Sequence, residues 1–445
     1  MKLSIPKFIS HLSSFISLQR AYLSFQLLRQ GTMLLIAILL AKSSLGAAAI
    51  GQYEQVWFLG GALSYFWANG LQQGLVSFFP RLAPAAQARL FASAVGLYFF
   101  ISAVLIGALV FFPAFFLPLF SGQSSIPFAG ISFLFLFFYL PSLLTETLYL
   151  LQKKATELLL YGIFSFSLQL AVVLLPAFWG WGVQSIIQGL LGLSMLRALW
   201  MLVLALRYGH LAWDWPQLKT WWNASFYLVV YAAIGGSISV FNAWIVNWYY
   251  LGDERQFALF RYGARELPVS LALVSGLNAL FLQKVAEDVH LAMPEIYRRS
   301  TRLMHFLMPF TIVLMLTSKW WFVLLFSTEF VESLPVFNTF LLLVISRVVF
   351  SFPILNGLQD KRIAIVGACS EALFNVVLCL LLVPIWGLLG TALANFLAYG
   401  LEKFIYGVHL LRRYGIAPGT YLNVPVWGIY ALVLILVWAL QIVWA

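Results

Sequence analysis

The sequence predicts an all-α polytopic membrane protein. Two parallel six-helix lobes, related by a pseudo-two-fold axis along the membrane normal, are followed by one additional C-terminal transmembrane helix. Three observations carry this reading: composition, the length of the apolar runs, and an internal repeat. Hydrophobic residues make up 62% of the 445 and charged residues only 9%, with a mean hydropathy of +0.93, whereas soluble domains hold about 25% charge. Apolar runs recur along the whole chain, long enough at about 1.5 Å per residue to cross a hydrocarbon core of roughly 30 Å. The run from Ile101 to Phe112 is continuous rather than alternating, so helices are expected instead of barrel strands.

Taken in order, the spans fall at 22–41, 46–79, 90–116, 126–151, 158–178, 182–206, 224–251, 256–283, 303–326, 334–358, 363–384, 386–410 and 423–444, thirteen in all. Residues 1–20 are basic and patchily apolar with no small-residue cleavage site, which predicts an interfacial segment rather than a cleaved signal. The lobes are predicted over 21–209 and 223–415, joined by a cytoplasmic linker at 210–222, and 416–445 holds the extra helix. With the N-terminus in the cytoplasm, Lys153, Lys154, Arg298, Arg299, Arg302, Lys361, Arg362, Arg412 and Arg413 lie inside. Outer loops keep only Lys42, Arg255 and Lys319. This asymmetry accounts for the net charge of +11 without any nucleic-acid partner. Aromatic belts are expected at Trp221 and Trp222 on one side, and at Trp248, Tyr249, Tyr250, Trp320 and Trp321 on the other.

The repeat pairs LQKKATELLL…VVLLPAFWGWG…LALRYG, from Leu151 to Gly209, with LQDKRIAIVG…CLLLVPIWGLLG…LLRRYG, from Leu358 to Gly415. Gln152 pairs with Gln359, Pro176 with Pro384, Trp179 with Trp386 and Tyr208 with Tyr414. LGAAAIGQY at 45–53 and LGDERQF at 251–257 each lead into a long span in a similar register. Six spans per half is an even number, so both halves cross in the same sense, and rocking one against the other gives alternating access a physical basis.

No polar stretch is long enough for a soluble catalytic domain. Cys369 and Cys379 lie ten residues apart in one apolar run, on different faces of a helix, and read as packing residues. His11, His210, His290, His305 and His409 show no ligand spacing, so neither a metal nor a cofactor is expected.

Charges inside the spans carry the chemistry. In LFRYGARELPVSL, Arg261 and Arg265 lie about 13 and about 20 Å into the eighth span at 1.5 Å per residue. A charge there costs at least about 2.5 to 3.5 kcal/mol, so it needs a wet cavity or a partner. Spacing of four places both arginines on one face, beside Tyr262 and Glu266, while Gly263 and Pro268 make the helix easy to unwind. Glu266 can neutralise one arginine in a structural pair, which leaves the other for substrate. Arg347 sits deep in the tenth span. Arg29 and Arg197 either face a cavity or snorkel to the cytoplasmic interface. Glu146, Glu371 and Glu402, the last beside Lys403, are buried acids, and Glu371 reads either as a proton or sodium site or as a partner of Arg347. Asn69 and Asn242 stand among the polar side chains of spans two and seven that hydrogen-bond between helices or line a hydrated vestibule. A cationic, hydroxyl-tolerant cavity suits an anionic polar cargo, and arginine's planar fork matches phosphate oxygens.

On these residues the chain resembles the polysaccharide and oligosaccharide flippases of the multidrug/oligosaccharidyl-lipid/polysaccharide exporter superfamily. The resemblance rests on the two-lobe plan, on LGAAAIGQYEQVWFLGGALSYFWANGLQQG in the second span and on RELPVSLALVSGLNALFLQKVAE in the eighth. It implies movement of an undecaprenyl-diphosphate-linked glycan from the inner to the outer leaflet of a bacterial cytoplasmic membrane, with the N-terminus cytoplasmic. It also implies a central basic cavity for diphosphate and sugar, and a side opening near spans one and eight for the prenyl tail. Arg261, Arg265, Glu266, Arg347, Arg29, Tyr262, Asn69 and Asn242 are then the substrate-binding candidates, and Glu371 and Glu146 the ion-coupling candidates. Partners implied are the lipid-linked glycan, membrane lipid, H+ or Na+ as coupling ion, and polysaccharide polymerase or assembly proteins. The chain departs from the family's usual twelve or fourteen spans.

A cation-coupled multidrug antiporter of the same superfamily is the competing reading. Such antiporters carry a carboxylate in the first span, and Ala21 to Ala41 contains none. A membrane-embedded glycosyltransferase or polymerase needs acid or base groups on a large outer loop, and the outer loops here are short. A passive scaffold would need no charge at mid-membrane depth.

Overall fold

The computed structural model describes residues 17–209 and 213–443. The interfacial segment expected over 1–20 lies outside the described residues up to position 16, as do His11, His210 and the start of the expected linker.

Among the described residues every regular element is helical. In chain order they are α1 (Leu18–Leu40), α2 (Ala47–Ser64), α3 (Ala68–Phe78), α4 (Pro84–Phe111), α5 (Pro113–Ser121), α6 (Ala129–Ser142), α7 (Thr145–Leu151), α8 (Ala155–Phe178), α9 (Gly182–Tyr208) and α10 (Trp215–Tyr249). There follow α11 (Glu254–Gly263), α12 (Pro268–Glu287), α13 (Val289–Leu316), α14 (Ser318–Phe326), α15 (Leu334–Leu341), α16 (Leu343–Arg347), α17 (Ser351–Gly357), α18 (Lys361–Tyr414) and α19 (Val424–Val443). Among the described residues nine helical stretches are long and apolar enough to cross a membrane, ten if the pair α13 and α14, bent by 77°, is one span. The chain is a polytopic α-helical membrane protein, as composition requires.

The difference from thirteen expected spans lies in breaks and in one turn. The spans expected at 46–79 and 256–283 are each two shorter helices, α2 with α3 and α11 with α12. Conversely, α18 contains two spans. Gly387, at φ 56 and ψ −132, reverses the chain within it, a conformation only glycine adopts without strain. The two halves then lie side by side: the Tyr406 hydroxyl donates to Ala364 O at 2.9 Å, and His409 Nε2 meets Asp360 Oδ2 at 2.9 Å.

Interrupted helices need partners for the backbone groups they free, since lipid offers none. At the α2–α3 break the Trp67 indole donates to Leu63 O at 2.7 Å and the Tyr98 hydroxyl to Ala68 O at 3.1 Å. At the α6–α7 break Gln72 Nε2 donates to Leu143 O at 2.9 Å. In the broken stretch α15–α16, Ile345 O accepts from the Trp427 indole at 2.8 Å, and Trp438 donates to Thr339 Oγ1 at 2.8 Å. Both tryptophans belong to α19, so the helix added after the second half clamps a broken one.

The chain divides into two compact units, Met1–Gly236 with Tyr250–Arg255, and Ser237–Tyr249 with Gln256–Ala445. Helix boundaries recur between them. α4 and α5 return 205 positions later as α13 and α14, while α7 and the start of α8 return 206 positions later as α17 and the start of α18. The turn inside the second pair is the same in both units: Lys153 (φ 54) and Gln359 (φ 59) are left-handed, and Lys154 N to Tyr149 O is matched by Asp360 N to Leu355 O. This geometry sets Lys153 opposite Gln359, one position away from the Gln152–Gln359 pairing that residue identity suggests.

Trp221, expected in an aromatic belt, is 0% exposed and packs in the core, whereas Trp222, Trp248 and Trp320 are exposed. Cys369 is exposed, and Cys379 packs in a cluster with Ile245, Val383 and Ala394.

Candidate functional site

In the second unit the charged stretch LFRYGARELPVSL is where the helix stops. α11 ends at Gly263, where a Cβ would lie 2.6 Å from Val336 Cβ and 2.8 Å from Ser333 O, so only glycine lets the chain approach. Pro268 opens α12 at a position where its missing N–H costs nothing, and Leu267 before it takes the extended backbone that proline imposes. Residues 264–267 are therefore non-helical, and they carry Arg265 and Glu266. The expectation that Arg261 and Arg265 share a helix face is corrected by this break: Arg261 lies on the last turn of α11, half-buried, and Arg265 lies beyond it.

The break is braced by aromatic packing. Tyr262, fully buried, stacks on Phe330 with ring centroids 4.0 Å apart and meets Phe326 edge-on at 5.4 Å. The Arg265 guanidinium lies 4.8 Å from the Tyr262 ring centre, an arrangement that offsets part of the cost of a cation away from water. Glu266 accepts from Arg347 Nη2 in an ion pair whose side chains are 26% and 18% exposed.

Beyond Arg347 the polar contacts continue. Its guanidinium lies 5.5 Å from the Tyr399 ring, and the Lys403 ammonium lies 4.4 Å from the same ring. Lys403 Nζ meets Glu402 Oε2 at 2.6 Å, and Tyr406 donates to Glu402 Oε1 at 2.9 Å. Glu371, half-buried nearby, makes no hydrogen bond or ion pair among the described residues; the charges acting on it are Glu402, Lys403 and Arg347. The expected Glu371–Arg347 pair is thus not formed, because Arg347 is taken by Glu266. A cavity of about 10 Å³ beside Glu266, Ser270, Thr311 and Arg347 has room for about one water. Asn242 is buried in a separate polar knot, accepting from Asn375 Nδ2 at 3.2 Å and from Cys379 Sγ at 3.6 Å.

In the first unit Arg29 on α1 pairs with Glu146 on α7 at 3.0 Å and also bonds Gln26. Arg197 does not reach for an interface: Ser165 and Gln169 on α8 hold it. Both arginines and Glu146 line a cavity of about 210 Å³ together with Trp57, Tyr139 and Gln169. Asn69, in the first turn of α3, is exposed. The sequence reading passed over Tyr399, Gln169 and Ser165. The last two stand four apart on α8, a spacing that puts them on one face and was the available signal.

No protein-family model matches the chain, and no curated protein sequence is similar to it. Solved structures are similar. The lipid II flippase MurJ in an inward closed conformation matches with a TM-score of 0.71 and 14% identity, over 94% of this chain and 98% of that one. An inward-facing multidrug resistance MATE family transporter of the MOP superfamily matches with a TM-score of 0.60 and 12% identity, over 85% and 94%. A MOP superfamily transporter from Pyrococcus furiosus, described by the reverse polarity of its binding pocket, matches with 0.56 and 13%, over 87% and 91%. The chain has the fold common to the lipid II flippase and the MATE transporters, the fold of the MOP superfamily.

Proposed function

We propose that the protein is a flippase that moves an undecaprenyl-diphosphate-linked oligosaccharide from the inner to the outer leaflet of a bacterial cytoplasmic membrane by alternating access. The observation that carries the proposal is the placing of Arg265 and Glu266 on an unwound segment inside a predicted span, next to Arg261, with Glu266 ion-paired to Arg347. Cations kept at such depth suit an anionic cargo, and arginine suits phosphate. The likeness to a lipid II flippase over 94% of the chain supports the same reading. Arg261 and Arg265 are the phosphate-binding candidates, with Tyr262 and Glu266 fixing the segment that presents them. Arg29, Asn69 and Asn242 have supporting roles, and Glu371 is the preferred coupling carboxylate because Glu146 is already paired with Arg29.

The likeness to MATE transporters supports a second reading, a cation-coupled multidrug antiporter. Against it, α1 contains no carboxylate and the ionised groups of residues 261–266 sum to a net positive charge.

The deciding experiment uses Arg261→Ala and Arg265→Ala, each verified for insertion and amount. Loss of surface glycan with accumulation of its lipid-linked precursor on the inner leaflet is expected. Unchanged export in both variants, or resistance to cationic dyes on overexpression of the parent chain, overturns the flippase reading in favour of the antiporter.

A further inference from the structure

We infer that the first unit holds a binding site of its own for a small monovalent anion, with Arg197 as the principal ligand. This goes beyond the flippase reading and does not rest on it. Arg197 lies on α9, eleven residues before its end at Tyr208, about 16 Å into the helix at 1.5 Å per residue. Its Nε donates to Ser165 Oγ at 2.6 Å, and its Nη2 donates to Ser165 O at 3.2 Å and Gln169 Oε1 at 2.9 Å. Phe166 covers the guanidinium at 5.8 Å. Every one of these contacts is neutral. Among the described residues no carboxylate pairs with Arg197, and its Nη1 forms no hydrogen bond while the residue lines the cavity of about 210 Å³.

The one carboxylate in that lining is Glu146, and Arg29 holds it at 3.0 Å. Two guanidiniums and one carboxylate leave the cavity with a single uncompensated positive charge. A guanidinium without a counter-charge is costly at membrane depth, so the cavity is completed by one negative charge. Its lining also offers an unused donor, since the Trp57 indole N–H is buried with no acceptor. Size narrows the ligand further. The volume is below the roughly 300 Å³ at which pockets begin to hold drug-sized molecules, which suits a halide or nitrate. A phosphate dianion would overshoot the charge balance.

The full chain, purified in detergent without lipid-linked substrate, is titrated with chloride, nitrate or inorganic phosphate at constant ionic strength against gluconate. Thermal unfolding and binding of radioactive chloride are both read. Chloride and nitrate are expected to raise the unfolding temperature saturably, with about one chloride bound per chain. Arg197→Gln is expected to weaken that affinity at least about tenfold. Gln169→Glu decides the matter even if the first variant fails to fold, because it places a built-in carboxylate 2.9 Å from Arg197 Nη2. It is expected to fold, to bind no chloride and to unfold at a temperature indifferent to the anion. Absence of saturable binding in the parent chain, binding of phosphate alone, or a Gln169→Glu variant that responds as the parent does would each overturn the inference.

Discussion

Arg347, the last residue of α16, is ion-paired to Glu266, which sits on the non-helical link between α11 and α12. The pair ties an unwound segment to the end of another broken helix, and both side chains are largely buried. Breaking such a pair from one side leaves an uncompensated charge, so Arg347→Gln is expected to destabilise the chain by about 3 kcal/mol, the lower end for buried pairs. Adding Glu266→Gln should recover most of that loss. A double-mutant cycle on detergent-solubilised protein measures it, and additive losses would show that the two residues do not act as a pair.

Much of this arrangement was legible in the residues. Gly263 and Pro268 bracket the break, and the charges inside apolar runs flagged where polar contacts had to be made. What was not legible is partner choice. Spacing along a helix suggested Arg261 beside Arg265 and Glu371 beside Arg347, but the helix ends between the first two and Glu266 occupies Arg347. Pairings 81 residues apart, such as Arg347 with Glu266, are fixed by tertiary packing, which local periodicity does not encode. The repeat was visible, yet its register at the Lys153 and Gln359 turns is set by backbone conformation, and identity of neighbouring glutamines pointed one residue away.

The helix outside the repeat has a structural task. Trp427 of α19 donates to Ile345 O, two residues before Arg347. Trp427→Phe keeps an aromatic ring but removes the donor with part of the indole, leaving that carbonyl unsatisfied, at about 1 to 3 kcal/mol. Lower thermal stability with unchanged insertion is expected. A variant as stable as the parent chain would show that the bond is dispensable.

Close helix approach in the first unit depends on Gly70. A Cβ there would collide with Val229 Cα and sit 2.5 Å from Val229 N, backbone atoms that cannot rotate aside. Gly70→Ala is therefore expected to lose about 1 to 3 kcal/mol through overpacking. At Gly31 nothing lies within 4 Å of the place a methyl group would take, so Gly31→Ala should change stability by no more than about 1 kcal/mol. Equal unfolding temperatures for the two variants would refute the packing argument.

Asp360 stands in the turn before α18, where it accepts from His409 and Tyr414 at 2.9 Å each and caps the helix through Ile363 N. Burial pushes its carboxyl up, but the bonds from His409, Tyr414 and the Ile363 amide outweigh this and hold it below the ordinary value. A depressed folded-state value contributes stability at pH above the unfolded value of about 3.9 and loses it as the pH falls through the folded one. Asp360→Asn should thus be less stable than the parent at neutral pH and show a shallower further loss below about pH 4. Parallel stability profiles from pH 7 to 3 would contradict this.

Glu371 separates the coupling candidates. Glu146 is neutralised by Arg29 at 3.0 Å, whereas Glu371 has no bonding partner among the described residues and feels Glu402, Lys403 and Arg347 only at longer range. Glu402 and Lys403 already satisfy one another at 2.6 Å. A carboxylate without a bonding partner within a span exchanges a proton or a cation more readily than one locked to a guanidinium. In reconstituted vesicles, an imposed proton or sodium gradient should accelerate substrate movement by the parent chain, and Glu371→Gln should remove that acceleration while leaving gradient-free exchange intact. Glu146→Gln should instead lower stability by leaving the charge of Arg29 without its counter-ion, with the gradient response retained. Loss of the response in Glu146→Gln alone would move the coupling site to the first unit.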